Sequence, residues 1–367
     1  MNRIWKEQMN SPSTRIEAEI RGRPFAGYVE QCTAAYYAKG GLTLREHTRE
    51  AMKLNKARGA TEVYVHVIRA GALAWYHSDV VRRCMPQPGD ASEGWVNVGK
   101  WLKQDDPLTV AIEEARAVGL RVFADMGMNV TYITQDPDYK GLAERFPLEH
   151  PECLVPGKSM FLDYRHEAIR DYVVAIAREL ITKYDVDGIN LDFARFAHNR
   201  AFDEASLVEV FGRIHEDRAS AREKWGHPLT MAARIPSYHY ASNAAWEQEI
   251  YGGEHPWFTD ALKTWATHGW IDRVMLCCPH PEDQKALSLA RYQAAIAGAR
   301  VRLWGDLYEP GGRSQEEVLD TARQWVSQGL DGGFFFYTVD RPQHLQQIDW
   351  KLRLIDCLNG TMAVPHQ

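Results

Sequence analysis

The chain has 367 residues, of which 45% are hydrophobic and 25% are charged, a composition typical of a folded globular protein. This excludes disordered, collagen-like and coiled-coil classes, and no apolar run approaches the roughly 18 residues of a membrane span. The 43 Lys and Arg against 49 Asp and Glu give a net charge of −6, which argues against nucleic acid or an anionic membrane as a partner.

The N-terminal segment and the cysteines bear on location. The first residues, MNRIWKEQMN, lack the apolar segment of a secretory signal, and the six cysteines are scattered without a C-x-x-C pair. We interpret these cysteines, including the adjacent Cys277 and Cys278, as buried small hydrophobic residues. A reducing, cytoplasmic location fits best, although a mature secreted chain would have the same features.

Short β-branched or aromatic runs alternate with amphipathic segments along the chain. The predicted strands are Gly27–Gln31, Glu62–Arg69, Arg121–Met126, Gly188–Phe193, Thr230–Ile235, Arg273–Cys278, Val301–Gly305 and Gly333–Tyr337. The predicted helices are Leu44–Ala57, Pro107–Val118, Glu167–Tyr184, Ser206–Trp225, Phe258–His268, Pro281–Ala297, Gln315–Ser327 and Leu345–Leu358. Eight strands alternating with eight helices predict an α/β fold, a single (β/α)8 TIM barrel. We expect the barrel over residues 25–360, an N-terminal extension at 1–24 and a tail at 361–367.

The connections between these elements are asymmetric. Helix-to-strand segments are short and contain glycine, which suits the left-handed residue that ends many helices. Strand-to-helix segments are long after the second, third and fifth predicted strands, at residues 70–105, 127–165 and 237–256. In a TIM barrel these loops share the face that carries active sites. The loops after the second and third predicted strands either cap an exo-type pocket or form an interface with a second copy of the chain, so a homo-oligomer stays open.

Strand parity predicts which side chains face the barrel interior, because successive side chains alternate and the helix-facing set is apolar. In the fourth predicted strand Ile189, Leu191 and Phe193 form the apolar set, so Asn190 and Asp192 point inward. The same rule places further side chains inward or at the rim: His66, Asp125, Asn129, Arg234, Trp304, Asp306 and Asp340, with Glu30 as an additional candidate.

Such a ring of polar and aromatic side chains is typical of a site for a carbohydrate. Hydrolysis of a glycosidic bond needs two carboxyl groups, and Asp192 is the candidate for nucleophile or base. For the acid the sequence offers several carboxyl groups near strand ends: Asp306, Glu309, Glu247, Glu249 and Glu254. Burial among Trp304, Tyr308 and Tyr337 would raise a carboxyl pKa, as a general acid requires. We predict Glu309 as the second catalytic residue.

The segment around the fourth predicted strand, YDVDGINLDFARF at residues 184–196, resembles the motif of family-ten-like glycosyl hydrolase barrels. Three further segments are similar to that group, at residues 161–172, 264–272 and 316–336, so the resemblance covers about residues 60–350. It implies a (β/α)8 fold and glycosidase action in carbohydrate metabolism, with Asp192 at the position of the motif's aspartate. The motif is also similar to the chitinase pattern D-G-x-D-x-D-x-E, but its last glutamate falls on Ala194, so we reject a chitinase. Ala197 stands where the group often has proline.

Three functions remain open at this point. The leading hypothesis is a metal-independent glycoside hydrolase with no cofactor, in which Arg195 and Tyr337 join the inward ring as substrate contacts. The second is a barrel that binds a saccharide or sugar acid without cleaving it, with Arg234 and Arg195 holding a carboxylate. The third is a metal-dependent lyase, isomerase or hydrolase using His66, Asp125, Asp192 and His280. Against the third, the first strand lacks a His-x-His pair.

Overall fold

The computed structural model describes residues 23–37, 43–57, 60–86, 88–89, 91–134, 139, 141–194, 200–236, 256–277, 287–307 and 315–336. The strands are β1 Phe25–Val29, β2 Glu62–Arg69, β3 Arg121–Gly127, β4 Leu154–Val155, β5 Lys158–Leu162, β6 Gly188–Asp192, β7 Thr230–Pro236, β8 Arg273–Cys277, β9 Arg302–Asp306 and β10 Phe334–Phe336. The helices are α1 Gln31–Tyr37, α2 Leu44–Ala57, α3 Glu93–Gln104, α4 Pro107–Ala117, α5 Arg145–Glu149, α6 Glu167–Lys183, α7 Glu204–Trp225, α8 Pro256–Thr267, α9 Ala290–Ala295 and α10 Gln315–Ser327.

Eight strands form a closed barrel in the order β1-β10-β9-β8-β7-β6-β3-β2. Each neighbouring pair is parallel. The remaining two strands, β4 and β5, pair with each other in an antiparallel hairpin between β3 and α6. The predicted (β/α)8 TIM barrel is therefore confirmed.

The eight predicted strands correspond to the eight barrel strands, with small differences at their ends. The first strand ends at Val29 rather than Gln31, because the backbone N–H groups of Thr33 and Ala34 donate to the Glu30 carbonyl and turn the chain into α1. The predicted helix Pro281–Ala297 is too long: within the described residues the helix covers Ala290–Ala295. The predicted helix Leu345–Leu358 lies outside the described residues.

The N-terminal half of the barrel interior is filled by side chains. Tyr64, Phe123, Met275 and Trp304 belong to one buried cluster there. Arg273, the first residue of β8, is ion-paired with Glu62, the first residue of β2, and its guanidinium lies 3.8 Å from the Trp304 ring centroid. Because this layer fills the interior below the mouth, we expect ligands to reach the barrel from the C-terminal end of its strands.

Two of the long strand-to-helix loops contain structure of their own. The segment after β2 carries α3, and the segment after β3 carries α5 and the β4–β5 hairpin. A second buried cluster beneath these segments includes Trp75, Trp95 and Tyr132. Cys32, Cys84, Cys153 and Cys277 are free and buried, as predicted. Among the described residues no helix has both the length and the apolar character needed to cross a membrane.

Candidate active site

The C-terminal half of the barrel interior is polar, and β6 contributes two of its side chains. Ile189 and Leu191 pack in the core between strands and helices. Asn190 and Asp192 alternate with them and reach side chains of the neighbouring strands, Asp125 on β3 and Arg234 on β7. The inward orientation predicted from strand parity is therefore confirmed for both residues.

Arg234 joins three strands at the mouth of the barrel. Its Nη1 lies 3.0 Å from Oδ2 of Asp192, and its Nε lies 2.6 Å from Oδ2 of Asp306 at the end of β9. Its Nη2 donates to Sγ of Cys277 on β8 at 3.0 Å. All four side chains are buried. One guanidinium thus holds the carboxyl groups of Asp192 and Asp306 close to each other.

Burial dominates the electrostatics of both carboxyl groups. Desolvation raises the pKa of Asp192, the positive charge of Arg234 opposes that shift, and the negative charge of Asp125 adds to it. Desolvation also raises the pKa of Asp306, again opposed by Arg234, with the charge of Asp192 as a smaller contribution in the same direction. A raised pKa keeps a carboxyl group available as a proton donor at higher pH.

A second hydrogen-bonded group lies beside this pair. Nδ1 of His66 lies 2.6 Å from Oδ2 of Asp125, and Nδ2 of Asn190 donates to Oδ1 of Asp125 at 2.5 Å. The three residues stand on β2, β3 and β6, which are adjacent in the barrel. All three side chains are buried, and those of Asp125 and Asn190 have no exposed surface.

Several predicted site residues carry a buried polar atom without a hydrogen-bond partner in the described part of the chain. The atoms are Nε2 of His66, Nδ2 of Asn129, Oδ1 of Asn190, Nε1 of Trp304 and Oδ1 of Asp306. Buried polar groups in folded proteins are nearly always paired, so each exception calls for an explanation. Those of them that lie at the mouth are available to a ligand.

Four residues at the rim extend the site beyond the predicted ring. The Arg69 guanidinium donates to the Tyr132 hydroxyl and lies 3.4 Å from Oε1 of Glu30. It also lies 5.8 Å from the Trp75 ring centroid, and Trp75 in turn lies 4.8 Å from the His66 ring. Strand parity indicated Glu30. It did not indicate Arg69, the last residue of β2, because the register of this strand shifts between His66 and Ile68. Tyr132 and Trp75 follow strand ends, where alternation no longer predicts direction.

The chain after β3 has an unusual backbone where it reaches this rim. Val130 and Tyr132 have φ angles of 91° and 54°, a region that β-branched and bulky residues rarely adopt. Oδ1 of Asn129 accepts hydrogen bonds from the backbone N–H groups of Val130 and Leu162, which ties this segment to β5. The Asn129 side chain was predicted to contact substrate, but its oxygen is used to hold the loop.

Trp304 also lies elsewhere than the sequence suggested. It points into the barrel, as parity predicted, but it packs on Arg273 in the N-terminal half of the interior. Parity assigns a side chain to the interior without giving its height along the barrel axis. We therefore place Trp304 in the barrel core rather than at the mouth.

The remaining predicted site residues lie outside the described residues. They are Glu309, Arg195, Tyr337 and Asp340, together with the alternative residues Glu247, Glu249, Glu254, Tyr308 and His280. Among the residues that are described, no group of three or more His, Cys, Asp or Glu side chains is arranged to hold a metal ion.

Among known proteins, solved structures resemble this chain in fold, whereas no curated sequence matches it. No protein-family profile matches the sequence, and no curated protein matches it, so the family-ten-like resemblance is not confirmed. The PgaB (BpsB) glycoside hydrolase domain from Bordetella bronchiseptica is 12% identical with a TM-score of 0.49, covering 91% of this chain and 98% of that one. The endo-1,4-β-D-mannanase from Thermotoga petrophila RKU-1 is 12% identical with a TM-score of 0.48, covering 86% and 88%.

A third similar structure, the maltogenic α-amylase AmyB from Thermotoga neapolitana, is 12% identical with a TM-score of 0.47, covering 92% of this chain and 76% of that one. The solved structures that resemble this chain thus include glycoside hydrolases. The barrel fold itself rests on the strand pairing given above.

Proposed function

We propose that the protein is a glycoside hydrolase that cleaves its substrate at the C-terminal mouth of the barrel, with Asp192 as nucleophile or base. One observation carries this proposal: Asp192 lies inside the mouth and shares the guanidinium of Arg234 with a second carboxyl group, that of Asp306. Glycosidic bond hydrolysis requires two carboxyl groups in one site.

The charge of the mouth supports the same reaction. Three carboxyl groups, those of Asp125, Asp192 and Asp306, surround the guanidinium of Arg234 and the ring of His66. With Asp306 protonated as the acid, the ionised carboxyl groups of Asp125 and Asp192 still outnumber the single positive charge of Arg234. A negative cluster stabilises the positive charge that develops on the sugar in an oxocarbenium-like transition state.

Binding of a sugar acid without cleavage is less well supported. That hypothesis used Arg234 and Arg195 to hold the ligand's carboxylate, and the Nε, Nη1 and Nη2 atoms of Arg234 all donate to groups of the protein. The surrounding carboxyl groups would also repel an anionic ligand. We therefore favour a neutral carbohydrate as substrate.

The second carboxyl group comes, in our proposal, from the end of β9. Asp306 is the candidate that contacts Arg234, and burial raises its pKa. Glu309, our prediction from sequence, follows three residues later. Asp306→Asn and Glu309→Gln distinguish these two candidates for the acid in the experiment below.

The experiment compares wild type with Asp192→Asn on a panel of aryl glycosides and oligosaccharides. We expect wild type to cleave at least one member and Asp192→Asn to lose about 100-fold or more in kcat/KM, since the amide can neither attack nor accept a proton. Asp260→Asn, at an exposed position on α8, is the matched control and should behave like wild type. A wild type inactive on the whole panel, or an Asp192→Asn variant as active as wild type, would contradict the proposal.

The same panel identifies the acid. A variant lacking it should lose activity on oligosaccharides, whose leaving group needs a proton, while it still cleaves 2,4-dinitrophenyl glycosides. We expect this pattern from one of Asp306→Asn and Glu309→Gln. If both variants keep full activity on oligosaccharides, the acid does not come from the end of β9.

A further inference from the structure

The side chains of Asp125 and Asn190 have no exposed surface, and they are hydrogen-bonded to each other. Asp125 accepts a hydrogen bond from Nδ2 of Asn190 on one oxygen, and its other oxygen faces Nδ1 of His66. The chain Asn190–Asp125–His66 therefore ends at the imidazole ring, and among the described residues Nε2 of His66 and Oδ1 of Asn190 are its atoms without a hydrogen-bond partner.

The donors in this chain follow from chemistry. An ionised carboxylate accepts hydrogen bonds and cannot donate them, so the proton between Asp125 and His66 belongs to Nδ1. In the neutral ring Nε2 is then bare and acts as an acceptor. Asn190 must turn its NH2 group towards Asp125, because its carbonyl oxygen would be repelled there.

The ring orientation directs Nε2 to the mouth. Nδ1 points to Asp125, and Cε1 lies 3.5 Å from the position that a Cβ atom would take at Gly127, two residues nearer the C-terminal end of β3. Gly127 is the register partner of Asp192. Nε2 is bonded to Cε1, and the charge of His66 acts on the Asp192 carboxyl group. We therefore take Nε2, which is buried and has no hydrogen-bond partner among the described residues, to face the end of the barrel where Asp192 lies.

We infer that Asp125 and Asn190 are positioning residues, which fix His66 so that its Nε2 accepts a hydrogen bond from a hydroxyl group of the carbohydrate bound beside Asp192. This inference rests on the proposed function for the identity of the ligand. Among the described residues, the buried charged groups around the ring include Asp125, which faces Nδ1, Asp192, on which the charge of His66 acts, and Arg69, which lies beside the same Trp75 ring as His66. A buried acceptor of this kind discriminates strongly against a sugar that lacks the hydroxyl, since the nitrogen would then stay unpaired.

The first test is spectroscopic and needs no substrate. Protein labelled with 15N-histidine reports the tautomer of each neutral ring, and His66→Gln identifies the His66 signals by their loss. In its neutral form we expect the His66 ring to carry its proton on Nδ1. A neutral ring protonated on Nε2, or a ring that stays doubly protonated, overturns the inference.

Two variants test whether Asp125 and Asn190 set that tautomer. In Asp125→Asn, the NH2 group of Asn190 holds the new carbonyl oxygen, so the new NH2 group faces His66 and moves its proton to Nε2. In the double variant Asp125→Asn/Asn190→Asp, the carboxylate at position 190 accepts from the new amide, whose oxygen again faces Nδ1. The swap should therefore restore the wild-type tautomer without changing the net charge. If neither variant changes the tautomer of His66, Asp125 and Asn190 are not positioning residues.

Activity tests the contact with substrate. On whichever glycoside wild type cleaves, Asp125→Asn should lose about 10- to 100-fold in kcat/KM, and the swap should recover most of it. His66→Gln, whose amide oxygen can reach the position of Nε2, should retain more activity than His66→Asn. If the tautomers change as expected while kcat/KM does not, Nε2 does not contact the substrate. If wild type cleaves no glycoside, the proposed function fails while the tautomer result stands.

Discussion

At the scale of one residue, burial of the Asp306 carboxyl group lowers the free energy of unfolding. Its carboxyl group has no exposed surface, and its Oδ1 atom has no partner among the described residues. Arg234 compensates part of the cost of burying this group, yet its pKa is still raised. Strain and buried charge of this kind are common where a protein keeps groups for catalysis.

Replacement of Asp306 by Asn should therefore stabilise the protein at neutral pH. Because the pKa of Asp306 is raised, the folded state binds the proton more tightly than the unfolded chain. The stability that this group contributes is present at low pH and is lost as the pH rises through the raised pKa. The amide does not titrate, so the gain of Asp306→Asn in urea unfolding should be largest at pH 7–8 and shrink towards about pH 4. A variant less stable than wild type at pH 8, with no dependence on pH, would contradict this.

Alternation along a strand predicted the inward residues His66, Asp125, Asn190, Asp192, Arg234 and Asp306 correctly, because the period of two is a local property. The height of a side chain along the barrel axis depends on the stagger between neighbouring strands, and the sequence of one strand does not show that stagger. Trp304 therefore appeared to be a mouth residue although it lies on Arg273. Asn129 follows the end of β3, where its Oδ1 atom accepts hydrogen bonds from the backbone N–H groups of Val130 and Leu162.

At the scale of elements, helix α6 anchors the loop that covers His66. Glu179 on α6 accepts hydrogen bonds from the hydroxyl groups of Tyr76 and Ser78, at 2.8 and 2.6 Å, and from the backbone N–H of Asp79 at 2.5 Å. These residues directly follow Trp75, whose ring lies beside His66. One buried carboxylate thus fixes the position of a whole strand-to-helix segment.

Glu179→Ala should loosen this segment. Without the Glu179 carboxylate, its donors lose their acceptor, and each buried donor left unpaired lowers the free energy of unfolding by about 1–3 kcal/mol. We expect a lower free energy of unfolding in urea by at least about 2 kcal/mol and faster hydrogen exchange at residues 76–82. Glu113→Ala is the control, since the Glu113 ion pair with Arg45 is exposed and such pairs contribute at most about 1 kcal/mol. Equal effects of the two variants would show that Glu179 is not an anchor.

The sequence predicted the barrel elements better than the elements inside the loops. The eight strands and the helices that cover them bury a continuous apolar face, which gives a clear periodic pattern. Helices α1 and α3 and the β4–β5 hairpin were not predicted, because contacts with other segments stabilise them. The positive φ angles of Val130 and Tyr132 were likewise not predicted from the sequence. Hydrogen bonds between this segment and β5 hold a backbone conformation that their side chains disfavour.

At the scale of the molecule, the barrel divides into a filled half and a polar half. The N-terminal half contains Arg273, Glu62, Tyr64, Phe123 and Trp304. The C-terminal half contains the two clusters around Arg234 and His66, and the long segments after β2 and β3 begin at the same end. Both polar clusters therefore lie at the end where TIM barrels carry their active sites.

The most direct test of the account is a titration of 15N-histidine-labelled Asp192→Asn protein with the oligosaccharide that wild type cleaves fastest. The account predicts that the sugar binds, stays intact and shifts the His66 signals, with histidines on the outer helices such as His215 unchanged. Binding that leaves the His66 signals in place, or an oligosaccharide cleaved by this variant at the wild-type rate, would show that the mouth around Asp192 is not the carbohydrate site.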